Sequence, residues 1–181
     1  IKSWNALQAV SPKSIVVTSG TGSGKTECFM LPILNHLVKE YEINRKKLEG
    51  VQALFIYPLN ALINSQRERL LAWTTPYGGN IRFCLYNGNL PAKKLTNQVR
   101  KNKPKNEIHD RSQLWDSPPP LLITNPTMLE YMLIRDIDKP ILEKSKGKLK
   151  YIVLDEAHTY IGSQAAELSL LIRRALQSFE V

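Results

Sequence analysis

Long apolar runs are missing from this 181-residue chain. None approaches the roughly 18 residues that a membrane-crossing helix needs, and the N-terminus lacks the layout of a secretory leader. Both absences point to a soluble, intracellular, cytoplasmic protein with no membrane partner. Cysteine is scarce: Cys28 and Cys84 stand far apart with no C-x-x-C pair, which excludes a disulfide framework and gives no zinc site. Each lies in an apolar stretch, so both are expected to be buried thiols. Acid is short relative to base, with 16 Asp and Glu against 25 Lys and Arg and a formal net charge of +9. An excess of that size favours a polyanion, nucleic acid before a membrane surface. Internal repeats are also absent.

What is present is an alternation of strand and helix patterns. Ser14–Thr18 is a β-branched run that ends in glycines and reads as a buried strand. Residues 25–41 repeat Phe29, Ile33, Leu34, Leu37 and Val38 at helical spacing, with Pro32 expected to kink the run. Val51–Tyr57 reads as a strand stopped by Pro58, and residues 60–73 as one amphipathic helix. Ile81–Tyr86, Leu121–Thr124 and Tyr151–Asp155 read as further strands. Thr127–Ile134 and Ser163–Gln177 read as helices, the latter with an apolar face through Ala166, Leu170, Ile172 and Leu176. Strands alternating with helices imply an α/β fold: a mostly parallel central sheet with helices on both faces. Ligands of such sheets gather at the carboxyl ends of the strands. Two basic, weakly periodic segments, 91–119 and 136–150, interrupt the alternation and read as insert-like surface loops.

Thr18-Ser-Gly-Thr-Gly-Ser-Gly-Lys-Thr-Glu27 nearly fits the phosphate-loop pattern G-x-x-x-x-G-K-[ST], with Ser19 in the first position. Gly20, Gly22 and Gly24, with Thr21 and Ser23 between them, let backbone amides turn inward on phosphate oxygens. Lys25 is placed to reach the β- and γ-phosphates of ATP, and the Thr26 hydroxyl to ligate Mg²⁺. Leu154-Asp-Glu-Ala-His158 follows an apolar strand and supplies the second acidic strand end. Asp155 would hold Mg²⁺, Glu156 would polarise the attacking water, and His158 lies close enough to relay events at the γ-phosphate.

With these motifs in order, the chain resembles the first RecA-like domain, a P-loop NTPase domain, of a superfamily 2 helicase of the DEAD/DEAH-box kind. Ser19–Thr26 resembles motif I, in which Ser or Ala is usual at the first position, and Asp155-Glu-Ala-His158 resembles motif II. Pro58-Leu-Asn-Ala-Leu62 with Gln66 resembles motif Ia, and Thr124-Asn-Pro126 with Thr127 resembles motif Ib. Tyr86-Asn-Gly88 sits where the family has a glycine-bearing strand end. Thr124–Met132 and Ala157–Gly162 are similar to a bacterial and archaeal branch working in DNA repair and phage defence. The resemblance implies a nucleic-acid backbone, DNA rather than RNA, lying over Asn60, Asn87, Gly88, Thr124, Asn125 and Thr127 without sequence readout. It implies that the lysine runs of the two inserts extend this footprint. It also makes Gln8 the candidate nucleotide-reading glutamine.

Motif III and the second RecA-like domain with its arginine finger do not occur before Val181. The resemblance therefore implies that residues 1–181 form one ATP-binding domain of a larger protein, weak in hydrolysis by itself because closure by the second domain is needed. A duplex-DNA translocase of a restriction or remodelling complex, and a non-catalytic RecA-like binding module, are the alternative readings.

Overall fold

The computed structural model describes residues 2–7, 14–18 and 24–181. They divide into two units, residues 1–46 and 47–181.

In the first unit α1 (Lys2–Leu7) packs on α2 (Lys25–Asn44). Helix α2 runs unbroken through Pro32, which is buried together with Met30, Ile33, Leu34 and Leu37. Burial of that apolar stripe outweighs the missing proline N–H, so the expected kink does not interrupt the helix. Ser14–Thr18 is not a strand, and Val16 is 90% exposed. β-Branched composition favours a pleated, half-buried surface, but a strand also needs a ladder partner, and none is made among the described residues. Cys28 is half-buried rather than buried.

The second unit is built on β1 (Ala53–Ile56), β2 (Phe83–Tyr86), β3 (Leu121–Thr124) and β4 (Tyr151–Leu154). All pair in parallel in the order β2-β3-β1-β4, with helices around the sheet. Between β1 and β2 lie α3 (Asn60–Ser65) and α4 (Arg67–Thr74), two short helices that meet at Gln66 where one was expected. Ile63 and Leu70 are their fully buried anchors. Next come α5 (Asn97–Lys101), α6 (Arg111–Asp116), α7 (Pro126–Ile134), α8 (Lys139–Glu143) and α9 (Ser163–Ser178).

Strand alternation separates the two faces of the sheet. Leu54, Ile56, Cys84, Tyr86 and Leu122 join one apolar cluster with Leu114 of α6, Met128, Leu129 and Met132 of α7, Ile141 of α8, and Leu168, Leu171 and Ala175 of α9. The alternate residues Ala53, Phe55, Phe83 and Ile123 are also fully buried. A parallel sheet covered on both faces needs such continuous apolar strands. Helix α9 turns Leu168, Leu171 and Ala175 inward and leaves Leu170 60% exposed. The expected apolar face was therefore rotated: the i, i+3, i+7 series from Leu168, not Ala166 and Leu170, meets the core.

The two inserts are more structured than solvated loops. Chain returning from 91–105 bridges Phe83 at Glu107, so part of the outer edge of β2 is covered. Asp138 is completely buried and accepts hydrogen bonds from Tyr86 Oη at 2.8 Å and Trp115 Nε1 at 2.8 Å. Tyr86 is at the end of β2, Trp115 in the first insert and Asp138 in the second. One carboxylate thus ties both inserts to the sheet.

Candidate nucleotide and nucleic-acid site

Helix α2 begins at Lys25 and continues with Thr26, and its leading amides have no intrahelical acceptors. Gly24 precedes it at φ +75°, a left-handed conformation suited to glycine. Gly24, the residue in the capping position, has no side chain to satisfy those amides. A 20-residue helix therefore offers its partial positive end to an anion beside a lysine and a hydroxyl. Gln8, Ser19, Gly20, Thr21, Gly22 and Ser23 lie outside the described residues.

In the second unit the strand register fixes which groups follow the strand ends. Tyr86, Thr124, Ile56 and Leu154 share the last row of the four strands. The next residue of each strand is therefore Asn87, Asn125, Tyr57 or Asp155, in that order across the sheet. Two further bonds continue the ladder: Tyr57 N to Thr124 O at 2.9 Å and Asp155 N to Ile56 O at 3.2 Å. Asp155 Oδ1 accepts the Glu156 amide at 2.9 Å. Glu156 itself adopts φ +51°, a conformation that a non-glycine residue keeps only when its surroundings impose it. This left-handed residue precedes a short 3₁₀ turn over Ala157–Thr159. The Glu156 carbonyl holds that turn by accepting Thr159 N at 2.9 Å and Thr159 Oγ1 at 2.8 Å. His158 Nδ1 lies 3.4 Å from Glu156 Oε2, on an imidazole that is 78% exposed.

Tyr57 was not among the residues singled out by sequence. Its side chain is 1% exposed, and its hydroxyl makes no hydrogen bond of full geometry. Burial first, and the neighbouring Asp155 charge second, push its ionisation above the ordinary phenol range. The one readable signal was its position: a tyrosine closing an apolar strand just before Pro58.

Six residues were expected along a nucleic-acid rim, and the structure sorts them. Thr124 is fully buried and donates through Oγ1 to Tyr86 O at 2.8 Å. Asn87 is buried, and its Oδ1 accepts Asn89 N at 3.0 Å. These two shape the strand ends from within. Gly88, Asn60 and Thr127 are exposed, and Asn125 is half-exposed. Asn125 Oδ1 caps α7 by accepting Met128 N at 2.8 Å, and its Nδ2 donates to Asn60 Oδ1 at 2.7 Å.

Asn60, Asn125 and Thr127 line an open groove of about 870 Å³, whose wall also includes Glu156 and Tyr160. A further wall comes from α9, with Gln164, Glu167, Leu170 and Arg174; of these the sequence had marked only Leu170, and as part of the apolar face. Arg174 Nη1 reaches Glu130 Oε1 of α7 at 3.0 Å across the groove. Among the described residues no cluster of three or more His, Cys, Asp and Glu could hold a metal ion by itself. The Asp155 carboxylate at the end of β4 suits Mg²⁺, which needs few protein ligands because it keeps waters and takes others from phosphates. No helix among the described residues is long and apolar enough to cross a membrane.

The family model for the DEAD/DEAH box helicase matches residues 2–180. Among curated relatives, the Druantia protein DruE of Escherichia coli is 29% identical, over 92% of this chain and 14% of the relative. An uncharacterized ATP-dependent helicase of Bacillus subtilis, YprA, is 31% identical, over 94% of this chain and 19% of the relative. Among solved structures, the DUF1998 helicase MrfA bound to DNA superposes with a TM-score of 0.67 at 25% identity. That likeness covers 98% of this chain and 21% of the other. The chain thus spans no more than about a fifth of each of these proteins.

Proposed function

Because the chain belongs to the DEAD/DEAH box helicase family, we propose that it is the first motor domain of a longer ATP-dependent DNA helicase or translocase. The observation that carries this is Glu156. It follows Asp155 at a φ of +51°, and it lines the same groove as Asn60, Asn125 and Thr127. One residue thus belongs both to the proposed hydrolytic pair and to the proposed nucleic-acid rim.

In this reading Lys25 and the α2 amides hold the ATP phosphates, and Thr26 and Asp155 hold Mg²⁺. The ion, when bound, neutralises charge that develops on the phosphate oxygens. Glu156 accepts the proton of the attacking water, and His158 shares a contact with its carboxylate. Asn60, Asn125, Thr127 and Gly88 contact backbone phosphates and sugars, while Asn87 and Thr124 position the loops that carry them. DNA is favoured over RNA because the solved relative MrfA is bound to DNA. The lengths of the relatives favour further domains, among them a second RecA-like domain that closes over the γ-phosphate. Residues 1–181 in isolation should then hydrolyse ATP slowly, and the protein should work in the cytoplasm.

Replacing the phosphate lysine tests the reading. In the full-length protein, Lys25→Ala should abolish DNA-stimulated ATP hydrolysis while leaving thermal stability near that of the parent. Unchanged stimulated turnover in that variant would falsify the motor assignment.

A further inference from the structure

The two basic inserts look alike in sequence but differ in how their charges are used. In the second, the lysines are already committed. Lys139 pairs with Asp136 at 2.7 Å, and Lys146 with Glu180 at 2.6 Å. Lys144 Nζ donates to Trp115 O and Asp116 O, both at 2.8 Å, and Lys148 Nζ to Glu49 O at 3.0 Å. Lys150 is not free either.

The first insert is arranged in the opposite way. No acid occurs between Asn89 and Asn106, and the two carboxylates that follow are each consumed by an arginine. Glu107 is 8% exposed and is gripped at both oxygens by Arg67, at 2.7 and 2.6 Å. Asp110 is fully buried, accepts Arg100 Nη2 at 2.6 Å, and also binds the amides of Leu95 and Gln113. Arg111 N donates to Pro91 O at 2.9 Å, closing the base of the loop. The side-chain ammonium groups of Lys93, Lys94, Lys101, Lys103 and Lys105 have no hydrogen-bonding or ion-pairing partner among the described residues. The arginines build the lobe, and the lysines are left over, on a frame whose acids are already neutralised.

The position of this lobe selects the polyanion. It begins beyond the carboxyl end of β2, where Lys93 and Lys94 follow the Asn87–Gly88 turn, and runs back along the sheet edge until Asn106 O accepts Phe83 N at 2.9 Å at the start of β2. We propose that the 93–105 lobe is a second phosphate-contacting surface. It continues the nucleic-acid track past the Gly88 turn, where its lysines bind the sugar-phosphate backbone without reading sequence. This rests on the helicase reading above. Lysine suits such a surface, since a mobile point charge fits a backbone whose phosphates it need not grip in one geometry. Each phosphate contact releases counterions, so binding of this kind is read most directly from salt dependence.

The test uses the full-length protein and a fluorescent mixed-sequence DNA, as single strand and as duplex with an overhang, over a series of salt concentrations. Lys93→Gln, Lys94→Gln, Lys101→Gln, Lys103→Gln and Lys105→Gln combined should weaken binding at least tenfold near physiological salt. The slope of log affinity against log salt should become shallower by roughly 2–4, at about 0.7–0.9 per lost contact. The thermal midpoint should stay unchanged, because these side chains hold nothing together. The control set Lys139→Gln, Lys144→Gln, Lys146→Gln and Lys148→Gln should lower the thermal midpoint and leave the slope within one unit of the parent. An unchanged slope in the first variant, or an equal drop in the control set, overturns the proposal. So does a first variant that loses binding to phosphatidylserine vesicles while keeping its DNA affinity, since the lobe would then serve a membrane surface. The Lys25→Ala measurement is independent: it can fail while the slope change holds, or hold while the slope change fails.

Discussion

Asn125 donates from Nδ2 to Oδ1 of Asn60 at 2.7 Å, joining the loop after β3 to the first residue of α3. The other end of the same amide caps α7 by accepting Met128 N. One side chain therefore does two separable things: its oxygen starts a helix, and its nitrogen fixes the distance between two loops that line one groove. An asparagine can do both because its amide carries an acceptor and a donor on one rigid plane.

Substitution at Asn125 should separate these roles. Asn125→Ala removes cap and cross-loop bond together and should cost about 1 kcal/mol of stability. Asn125→Asp keeps the cap, since aspartate is as good at that position, but sets a carboxylate against the Asn60 oxygen. Its thermal midpoint should stay close to the parent while DNA stimulation of the ATPase falls. If Asn125→Asp retained full stimulation, the Asn60 contact would have no part in placing the rim.

Tyr57 lies between Asn125 and Asp155 in the row beyond the strand ends, with a buried hydroxyl that lacks a well-formed bond. Tyr57→Phe removes a group whose burial is uncompensated, so stability should be equal or slightly higher. If the hydroxyl steadies the Asp155 carboxylate, the Mg²⁺ concentration for half-maximal ATPase should rise by about tenfold, the low end of the range for groups that orient a metal ligand. A Mg²⁺ titration of the full-length variant decides this, with the turnover at saturating Mg²⁺ expected to stay near the parent value.

The strands of the second unit were readable from sequence because their cause is local. Val51–Tyr57, Leu121–Thr124 and Tyr151–Asp155 are apolar runs stopped by turn residues, and the structure trims each by no more than two residues at either end. Ser14–Thr18 has the same composition but makes no ladder, since pairing depends on a neighbour that composition does not contain. The inserts were misjudged for a related reason. Asp138 looks like a surface acid in sequence, and only the convergence of Tyr86 and Trp115 makes it a buried acceptor. The placement of Asp155 and Glu156 directly after a strand was legible in the sequence. The left-handed turn at Glu156 and the α9 wall of the groove were not, because both follow from tertiary packing.

Acid should weaken the first insert ahead of the sheet. Burial raises the pKa of Asp110, but the Gln113 amide, the Arg100 guanidinium and the Leu95 amide outweigh it and hold the carboxyl below its usual range. A depressed folded-state value adds stability above the unfolded value of about 3.9, and that contribution is lost as pH falls through the folded value. Asp110→Asn keeps an acceptable cap on α6 but leaves Arg100 without its partner, at a cost of about 1–3 kcal/mol near neutrality. Thermal midpoints from pH 7 to pH 3 should show a constant gap between parent and variant down to about pH 4, then a closing one. A gap that persisted undiminished at pH 3 would show that the charge of Asp110 contributes nothing.

Glu156→Gln offers the sharpest separation of binding from chemistry. Glutamine matches the shape of glutamate, and neither residue is glycine, so the φ of +51° costs each about the same and the turn should persist. What is lost is a group able to accept a proton, and steady-state ATP hydrolysis should fall by about 10²–10⁴. ATP affinity should change little, because Lys25, Thr26 and Asp155 are untouched. Glu156 also brings a negative charge to the groove lined by Asn60, Asn125 and Thr127, beside Glu130 and Glu167. Its neutralisation should therefore tighten DNA binding in the presence of ATP, an effect that weakens as salt is raised. Equilibrium binding with ATP and a slowly hydrolysed analogue, alongside turnover, gives both quantities from one variant. Loss of turnover with weaker DNA binding would place Glu156 in the fold of the loop rather than in the reaction.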